Sequence, residues 1–228
     1  EEMLKANGDS FAGKKVVISG SGNVAQFALQ KATELGATVI SVSDSNGYVI
    51  DENGIDFDLL ADVKNKRRAR LTAYAAEKST ATSHEGSVWT YAEKYDIALP
   101  CATQNEINGE AAKRIVAQGV ICVSEGANMP SDLDAIAVYK ENGIFYGPAK
   151  AANAGGVACS CIEMGQNSGK TVFTPEQVYA QLKDIMVGIH DACANASQTY
   201  GFGYNLVAGA NIAGFLKVAD AMMAQGLV

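Results

Sequence analysis

The sequence predicts an α/β fold: a doubly wound, mostly parallel sheet with helices on both faces, followed by C-terminal helices. Three observations carry that reading. Strand-like and helix-like patterns alternate as far as Asn153; the apolar run Val16-Val17-Ile18 leads through a glycine-rich turn into a helical pattern; and beyond Asn153 no strand pattern recurs. Alternation of this kind lays successive strands side by side in parallel, with the crossover helices covering the sheet.

Each element has a local reason. Glu1 to Lys5 reads as the tail of a helix, and suggests that the chain is a fragment. The turn after the first strand, Gly20-Ser21-Gly22-Asn23-Val24-Ala25, fits G-x-G-x-x-A, in which one glycine permits a tight turn, the next lets backbone approach a pyrophosphate, and the small third residue allows close packing. Gln26 to Leu35 continues as helix and Gly36 closes it; Thr38 to Val42 is the second strand, ending at Asp44. Asn46-Gly47 and Asn53-Gly54 bracket Tyr48-Val49-Ile50 as a small hairpin insertion. A helix is expected from about Phe57 to Glu77, then a polar loop through Ser79, Thr82, Ser83 and His84. Strands follow at Asp96–Leu99, Val120–Val123 and Ile144–Tyr146, separated by helices at Gly109–Gln118 and Leu133–Glu141, the latter opened by a capping box at Ser131 and Asp134. The remainder reads as helices at Gly156–Gln166, Pro175 to about Ala196, and Ala210–Gln225, with Thr174-Pro175 as a start signal. This divides the chain into residues 1–152, a dinucleotide-binding core, and residues 153–228, a helical segment that completes it.

Composition narrows the function classes. With 228 residues and 48% hydrophobic content, the chain can bury a substantial core. The net charge of −7 argues against nucleic-acid binding, which needs a basic surface. No apolar run approaches the roughly 18 residues of a membrane span, so no membrane partner is expected. Five cysteines, odd in number and mostly in apolar surroundings, suit a cytoplasmic protein, and Cys159-x-Cys161 is too short for a zinc half-site. No metal is expected. His84 and His190 lack partners at metal-ligand spacing and read as satisfied or solvent-facing.

Four further segments, Pro100-Cys101-Ala102-Thr103-Gln104-Asn105-Glu106, Glu125-Gly126-Ala127-Asn128-Met129-Pro130, Lys150-Ala151-Ala152-Asn153-Ala154-Gly155-Gly156-Val157 and Val207 to Phe215, stand in order behind the glycine loop. Together they resemble the glutamate dehydrogenase family over nearly the whole chain, and in particular the C-terminal coenzyme-binding, Rossmann-type domain of its small-subunit hexameric members. The resemblance implies an oxidoreductase of amino-acid metabolism, a homo-hexamer when full length. It would deaminate L-glutamate oxidatively and reversibly to 2-oxoglutarate and ammonia, passing hydride to NADP or NAD. In the family the catalytic lysine, the acid/base aspartate and the lysines for the substrate carboxylate belong to an N-terminal domain. Nothing before residue 14 could encode it, so the expectation is coenzyme binding without catalysis, and no catalytic residue is named.

Gly20, Ser21, Gly22, Asn23 and Val24 are the candidates under the pyrophosphate, where unpaired N–H groups at a helix start attract an anion. Ala102, Thr103 and Asn128 follow strands at the carboxyl edge of the sheet, and the resemblance puts them near the nicotinamide ribose; as plain turn formers, Thr103 and Asn128 have a blander explanation. By the same resemblance Asn153, Val157 and Ser160 line the substrate side, with Ser160 donating to the distal carboxylate; a hydroxyl bonded back into its own helix is the alternative. Cys161 stands where family members commonly carry glycine.

The choice between NADP and NAD turns on Asp44, 24 residues past Gly20, where a carboxylate ordinarily accepts the 2′-hydroxyl of NAD. Such a carboxylate would repel a 2′-phosphate by about 4 kcal/mol per unit charge at about 4 Å with an effective dielectric near 20. Yet Ser45 follows, and Lys64, Lys66, Arg67, Arg68 and Arg70 crowd the next helix, with Lys64, Arg67 and Arg68 expected on one face. NADP-linked members resemble this chain in both respects, so NADP is favoured; a solvated basic face is the alternative. A leucine, valine or phenylalanine dehydrogenase, or a non-catalytic nucleotide-binding module, would share the architecture, although Ser160 as a polar contact speaks against the former.

Overall fold

The computed structural model describes residues 1–226. It divides into two compact units, one spanning Met3–Ala149 and one running from Lys150 onward.

The first unit is built on a five-stranded parallel sheet. Its strands are β1 (Lys15–Ile18), β2 (Thr38–Val39), β6 (Ile97–Leu99), β7 (Cys122–Ser124) and β8 (Phe145–Gly147), in the spatial order β2-β1-β6-β7-β8. Apolar runs serve here because helices cover the sheet: Val16, Val17, Ile18, Ile97, Ala98 and Val123 are all fully buried. After helix α1 (Glu2–Ala6), α2 (Asn23–Glu34) connects β1 to β2, and buries Ala25, Leu29 and Ala32 at helical spacing. The chain moves outward from β1 to β2 on one side, then returns to β6 on the other. Strand order therefore reverses beside β1, which creates a crevice at the carboxyl ends of β1 and β6.

The stretch expected as one strand from Thr38 changes partners partway. Val39 pairs with β1, whereas β3 (Ser41–Ser43) forms an antiparallel sheet with β4 (Gly47–Ile50) and β5 (Thr82–Glu85). Ser41 explains the switch: its hydroxyl accepts from Ile18 N at 2.8 Å and donates to Ile18 O at 3.0 Å, so a side chain satisfies the end of β1 and frees the Ser41 backbone for β4. The expected polar loop around Thr82–His84 is thus strand β5. All four of its side chains are exposed, which left no alternation to read, and the ring of Tyr48 stacks on His84 with centroids 5.0 Å apart. Gly47 is required opposite it, since a Cβ there would lie 2.0 Å from His84 O.

The long helix expected from Phe57 to Glu77 is broken. Helix α3 (Phe57–Ala61) passes into a π-helical turn at Asp62–Lys66, Arg68 takes a left-handed φ of 51°, and α4 (Leu71–Glu77) starts afresh. The cations of this stretch take different partners: Lys64 lies by Asp44, Lys66 and Arg67 by Asp62, and Arg70 by Ser45. With the helix broken, Lys64, Arg67 and Arg68 do not share a helix face. Helices α5 (Gly109–Ala117) and α6 (Leu133–Glu141) flank β7, and Asp132, not Ser131, caps α6 by accepting from Ala135 N at 2.8 Å. Ser131 is held in the extended segment before it by pairing with Ile107.

After the short α7 (Ala149–Ala152), the second unit comprises α8 (Gly155–Gly169), α9 (Pro175–Thr199) and α10 (Leu206–Gln225). Thr174 and Gln177 form a reciprocal capping box at the start of α9, with Pro175 in the first turn. Helices α9 and α10 meet at Gly209, where a Cβ would lie 1.9 Å from Cys193 O. Ser197 secures the connection by donating to Gly203 O at 2.7 Å and accepting from Asn205 N at 3.1 Å. Among the described residues α10 alone is long and apolar enough to cross a membrane, with a mean hydropathy of 1.4, contrary to the expectation that no such stretch exists. Lys217 and Asp220 interrupt its run, which is why it does not read as a continuous apolar segment. Phe215, Val218, Met222 and Met223 are exposed along it.

Candidate functional site

The crevice at the carboxyl ends of β1, β6 and β7 gathers most of the expected first-unit residues. Gly20 has a φ of +84°, open to glycine but strained for other residues, and a Cβ there would meet Cys101 O at 2.9 Å and the Ala102 Cα at 3.2 Å. The glycine loop and the loop after β6 are thus in backbone contact. Beyond it, a methyl placed on Gly22 would meet nothing within 4 Å, and Gly22, Asn23 and Val24 all lie exposed.

Gly22 is also the N-cap of α2, and no side chain caps that end or places an acid in its first turn. Helices α3, α5, α6, α9 and α10 are each capped by Asp56, Asn108, Asp132, Thr174 or Asn205. The first turn of α2 therefore presents amides and the positive end of its dipole to the crevice, an arrangement that favours an anion. The cradle fits a pyrophosphate.

Two residues not singled out from sequence hold this loop. Buried Gln26 donates to Ser21 O at 2.8 Å, and its amide exchanges hydrogen bonds with that of Asn65 at 3.1 and 2.9 Å, which ties α2 to the π-helical turn. Glu106 accepts from Ser19 Oγ at 2.9 Å, Ala102 N at 3.2 Å, Thr103 N at 3.4 Å and Trp89 Nε1 at 2.9 Å. Burial pushes its carboxyl upward, against the pull of these donors. A polar residue among the apolar positions of α2, and an acid close behind a buried strand, were the available signals. Ala102, Thr103 and Asn128 are exposed at the mouth, and burial pushes the Cys101 thiol beneath them up to about 12, so it stays protonated.

At the far end of the crevice stand Asp44 and Ser45. Burial raises the Asp44 carboxyl, but the amides of Asn46 (2.9 Å) and Leu71 (3.2 Å), with Lys64 at 3.7 Å and the charge of Arg70, hold it below the ordinary carboxylate range. Ser45 Oγ accepts from Arg70 at 2.7 Å. Lys64 and Arg70 are therefore the cations gathered here. Arg67 turns away, bonded to Asp62 at 2.8 Å and to Glu77 at 2.5 Å. Gly20 joins this end to the rest, since its amide donates to Ser43 Oγ at 2.7 Å.

Asn153, Val157 and Ser160 belong to the second unit. Val157 is 70% exposed on α8, and Ser160 donates to Gly156 O within its own helix at 3.2 Å. His190 bridges Asp191 at 3.0 Å and Tyr204 at 2.8 Å.

Comparison with known proteins agrees with this architecture. A family model described as Glutamate/Leucine/Phenylalanine/Valine dehydrogenase matches residues 1–226. The chain is 48% identical over its full length to the NADP-specific glutamate dehydrogenase of Giardia intestinalis, covering 52% of that protein. It is 50% identical to the NAD(P)-specific glutamate dehydrogenase of Xylanibacter ruminicola, covering 51% of it. The crystal structure of Plasmodium falciparum glutamate dehydrogenase superposes on the whole chain with a TM-score of 0.93 at 44% identity, over 49% of its own length. The chain thus spans about half the length of the relatives it matches.

Proposed function

The chain belongs to the Glutamate/Leucine/Phenylalanine/Valine dehydrogenase family, and from that premise we propose that it is the coenzyme-binding portion of an NADP-dependent glutamate dehydrogenase. The complete protein would interconvert L-glutamate with 2-oxoglutarate and ammonia, as a cytoplasmic homo-hexamer. Residues 1–152 are the dinucleotide-binding core in this reading, and residues 153–228 complete it.

The observation that carries the proposal is the uncapped start of α2 at the point where strand order reverses. Gly20, Ser21, Gly22, Asn23 and Val24 would hold the pyrophosphate through backbone donors. Ala102, Thr103 and Asn128 would meet the nicotinamide ribose, and Asn153, Val157 and Ser160 the substrate side. Bound there, the coenzyme supplies hydride transfer; the chain's own residues bind and orient it.

The preference for NADP rests on Lys64 and Arg70, which stand beside Asp44 and Ser45. A dianionic 2′-phosphate can draw charge-assisted hydrogen bonds from both cations and from the Ser45 hydroxyl. The Asp44 carboxylate, already engaged by two amides, supports the turn. Fluorescence titration of the chain with NADPH and with NADH tests the proposal. Saturable binding with NADPH preferred is expected; no binding of either coenzyme would end it, and preference for NADH would reassign the coenzyme.

A further inference from the structure

One half-buried carboxylate, that of Glu106, gathers donors from both loops at the crevice floor. Oxygen Oε1 of Glu106 takes the Ser19 hydroxyl and the amides of Ala102 and Thr103, while Oε2 takes the indole N–H of Trp89. Ser19 in turn accepts from Cys101 N at 2.9 Å, so a single acid links the residue before the glycine loop to three consecutive residues after β6. Trp89 is 2% exposed, within the core that contains Ile107, Ala111 and Ile115, and so fixes the carboxylate from behind.

We propose that Glu106 is a positioning residue for the nicotinamide half of the coenzyme, held in register by Trp89. With the amides of Ala102 and Thr103 engaged by Glu106, the exposed Thr103 side chain is left to the crevice, and its hydroxyl suits the hydroxyls of a ribose. Released from Glu106, the same amides would turn outward, and the loop would lose its backbone contact with Gly20. The inference rests on the coenzyme-binding reading and adds to it a division of labour: Glu106 serves the ribose next to nicotinamide, and the Asp44 end serves the adenosine.

Glu106→Gln keeps the size of the side chain but replaces one acceptor by a donor, so either Trp89 or the loop amides must face an N–H group. In the 228-residue chain, Kd is measured for NADPH and for 2′,5′-ADP, which contains only the adenosine half. The expected result is a rise of about tenfold in Kd for NADPH, the scale of one charge-assisted hydrogen bond, with 2′,5′-ADP unchanged within about twofold. Trp89→Phe, which removes only the brace, should give the same pattern more weakly and serves in its place should the glutamine variant fail to fold. Equal loss for both ligands, as general loosening would produce, or no loss for NADPH in the folded variants, overturns the inference. Failure of the unmodified chain to bind NADPH would instead overturn the coenzyme reading itself.

Discussion

Replacing Gly20 by alanine tests whether the glycine loop is shaped by its own backbone or by what approaches it. At a φ of +84° an L-residue is strained by about 1–2 kcal/mol. The added methyl would also lie 2.9 Å from Cys101 O, a backbone atom that cannot retreat freely, because Cys101 N is held by Ser19 and the preceding Pro100 O accepts the amides of Gly126 and Ala127. Overpacking of that kind adds about 1–3 kcal/mol. Taking about 3 kcal/mol in total, the thermal midpoint should fall by roughly 6–12 °C in a chain of this size. Gly22→Ala is the matched control. Its φ of −83° suits any residue and a Cβ there meets nothing, so the fold should lose less than about 1 kcal/mol, the scale of a changed N-cap. On the proposed reading its methyl would nevertheless stand in the path of the pyrophosphate, and coenzyme Kd should rise about tenfold or more. Thermal denaturation and NADPH titration of both variants give the two axes. A Gly20→Ala variant that melts with the parent, or a folded Gly22→Ala variant that binds NADPH with parental affinity, would refute the reasoning.

Lys64→Ala and Arg70→Ala should each weaken NADPH about tenfold more than NADH, whereas Arg67→Ala, whose cation is bonded to Asp62 and Glu77, should leave the preference alone. Paired Kd values decide it, and an Arg67 variant that behaves like the other two would reject the assignment. Asp44 has a folded-state carboxyl held below its ordinary value, so its contribution to stability is complete above that value and disappears as pH falls through the lowered one. Urea denaturation from about pH 7 downward should therefore show an Asp44→Asn penalty that holds steady to about pH 5 and then shrinks steadily as the pH falls below the ordinary carboxylate range; a penalty independent of pH would contradict the charge-based account. In the second unit, Gly209→Ala drives a methyl onto Cys193 O and should cost about 3 kcal/mol or more. Gly214→Ala meets nothing and should stabilise α10 by about 0.5–1 kcal/mol, so equal melting of these two variants would refute the packing at Gly209.

Periodicity and punctuation made the parallel sheet and its helices legible, because each is governed by neighbours along the chain. The Val16–Ile18 run, the glycine turn and Thr174-Pro175 all act within a few residues. What stayed hidden depends on groups distant in sequence. The switch at Ser41 needs the backbone of Ile18; β5 needs β4, since its exposed side chains carry no alternation; and the π-helical turn at Asp62–Lys66 is tied to α2 through the amide pair of Asn65 and Gln26. The basic cluster was visible as composition, but which cations face Asp44 was not. Lys64 and Arg70 do, across an irregular turn, whereas Arg67 is bonded elsewhere.

The same distinction explains why the crevice can remain open without being soft. Five amides near its floor have an acceptor supplied by a side chain: Ile18 N by Ser41, Gly20 N by Ser43, Cys101 N by Ser19, and Ala102 N and Thr103 N by Glu106, while Ser19 N and Ser43 N bond to the backbone carbonyls of Leu99 and Gly20. Glu125, 2% exposed at the end of the next strand, likewise accepts from Ser131 N at 3.1 Å and Ala149 N at 2.8 Å. A buried carboxylate is costly unless such donors surround it, and here the cost secures loops that have little apolar surface of their own. The first turn of α2, which opens directly from the glycine loop at this floor, has no side-chain cap. Satisfying those five amides while leaving this turn without a side-chain cap concentrates the anion-binding capacity of the floor at one helix end. A coenzyme with its pyrophosphate there can extend one way toward Asp44 and Ser45 and the other toward Thr103, which is the division that the paired NADPH and 2′,5′-ADP measurements separate.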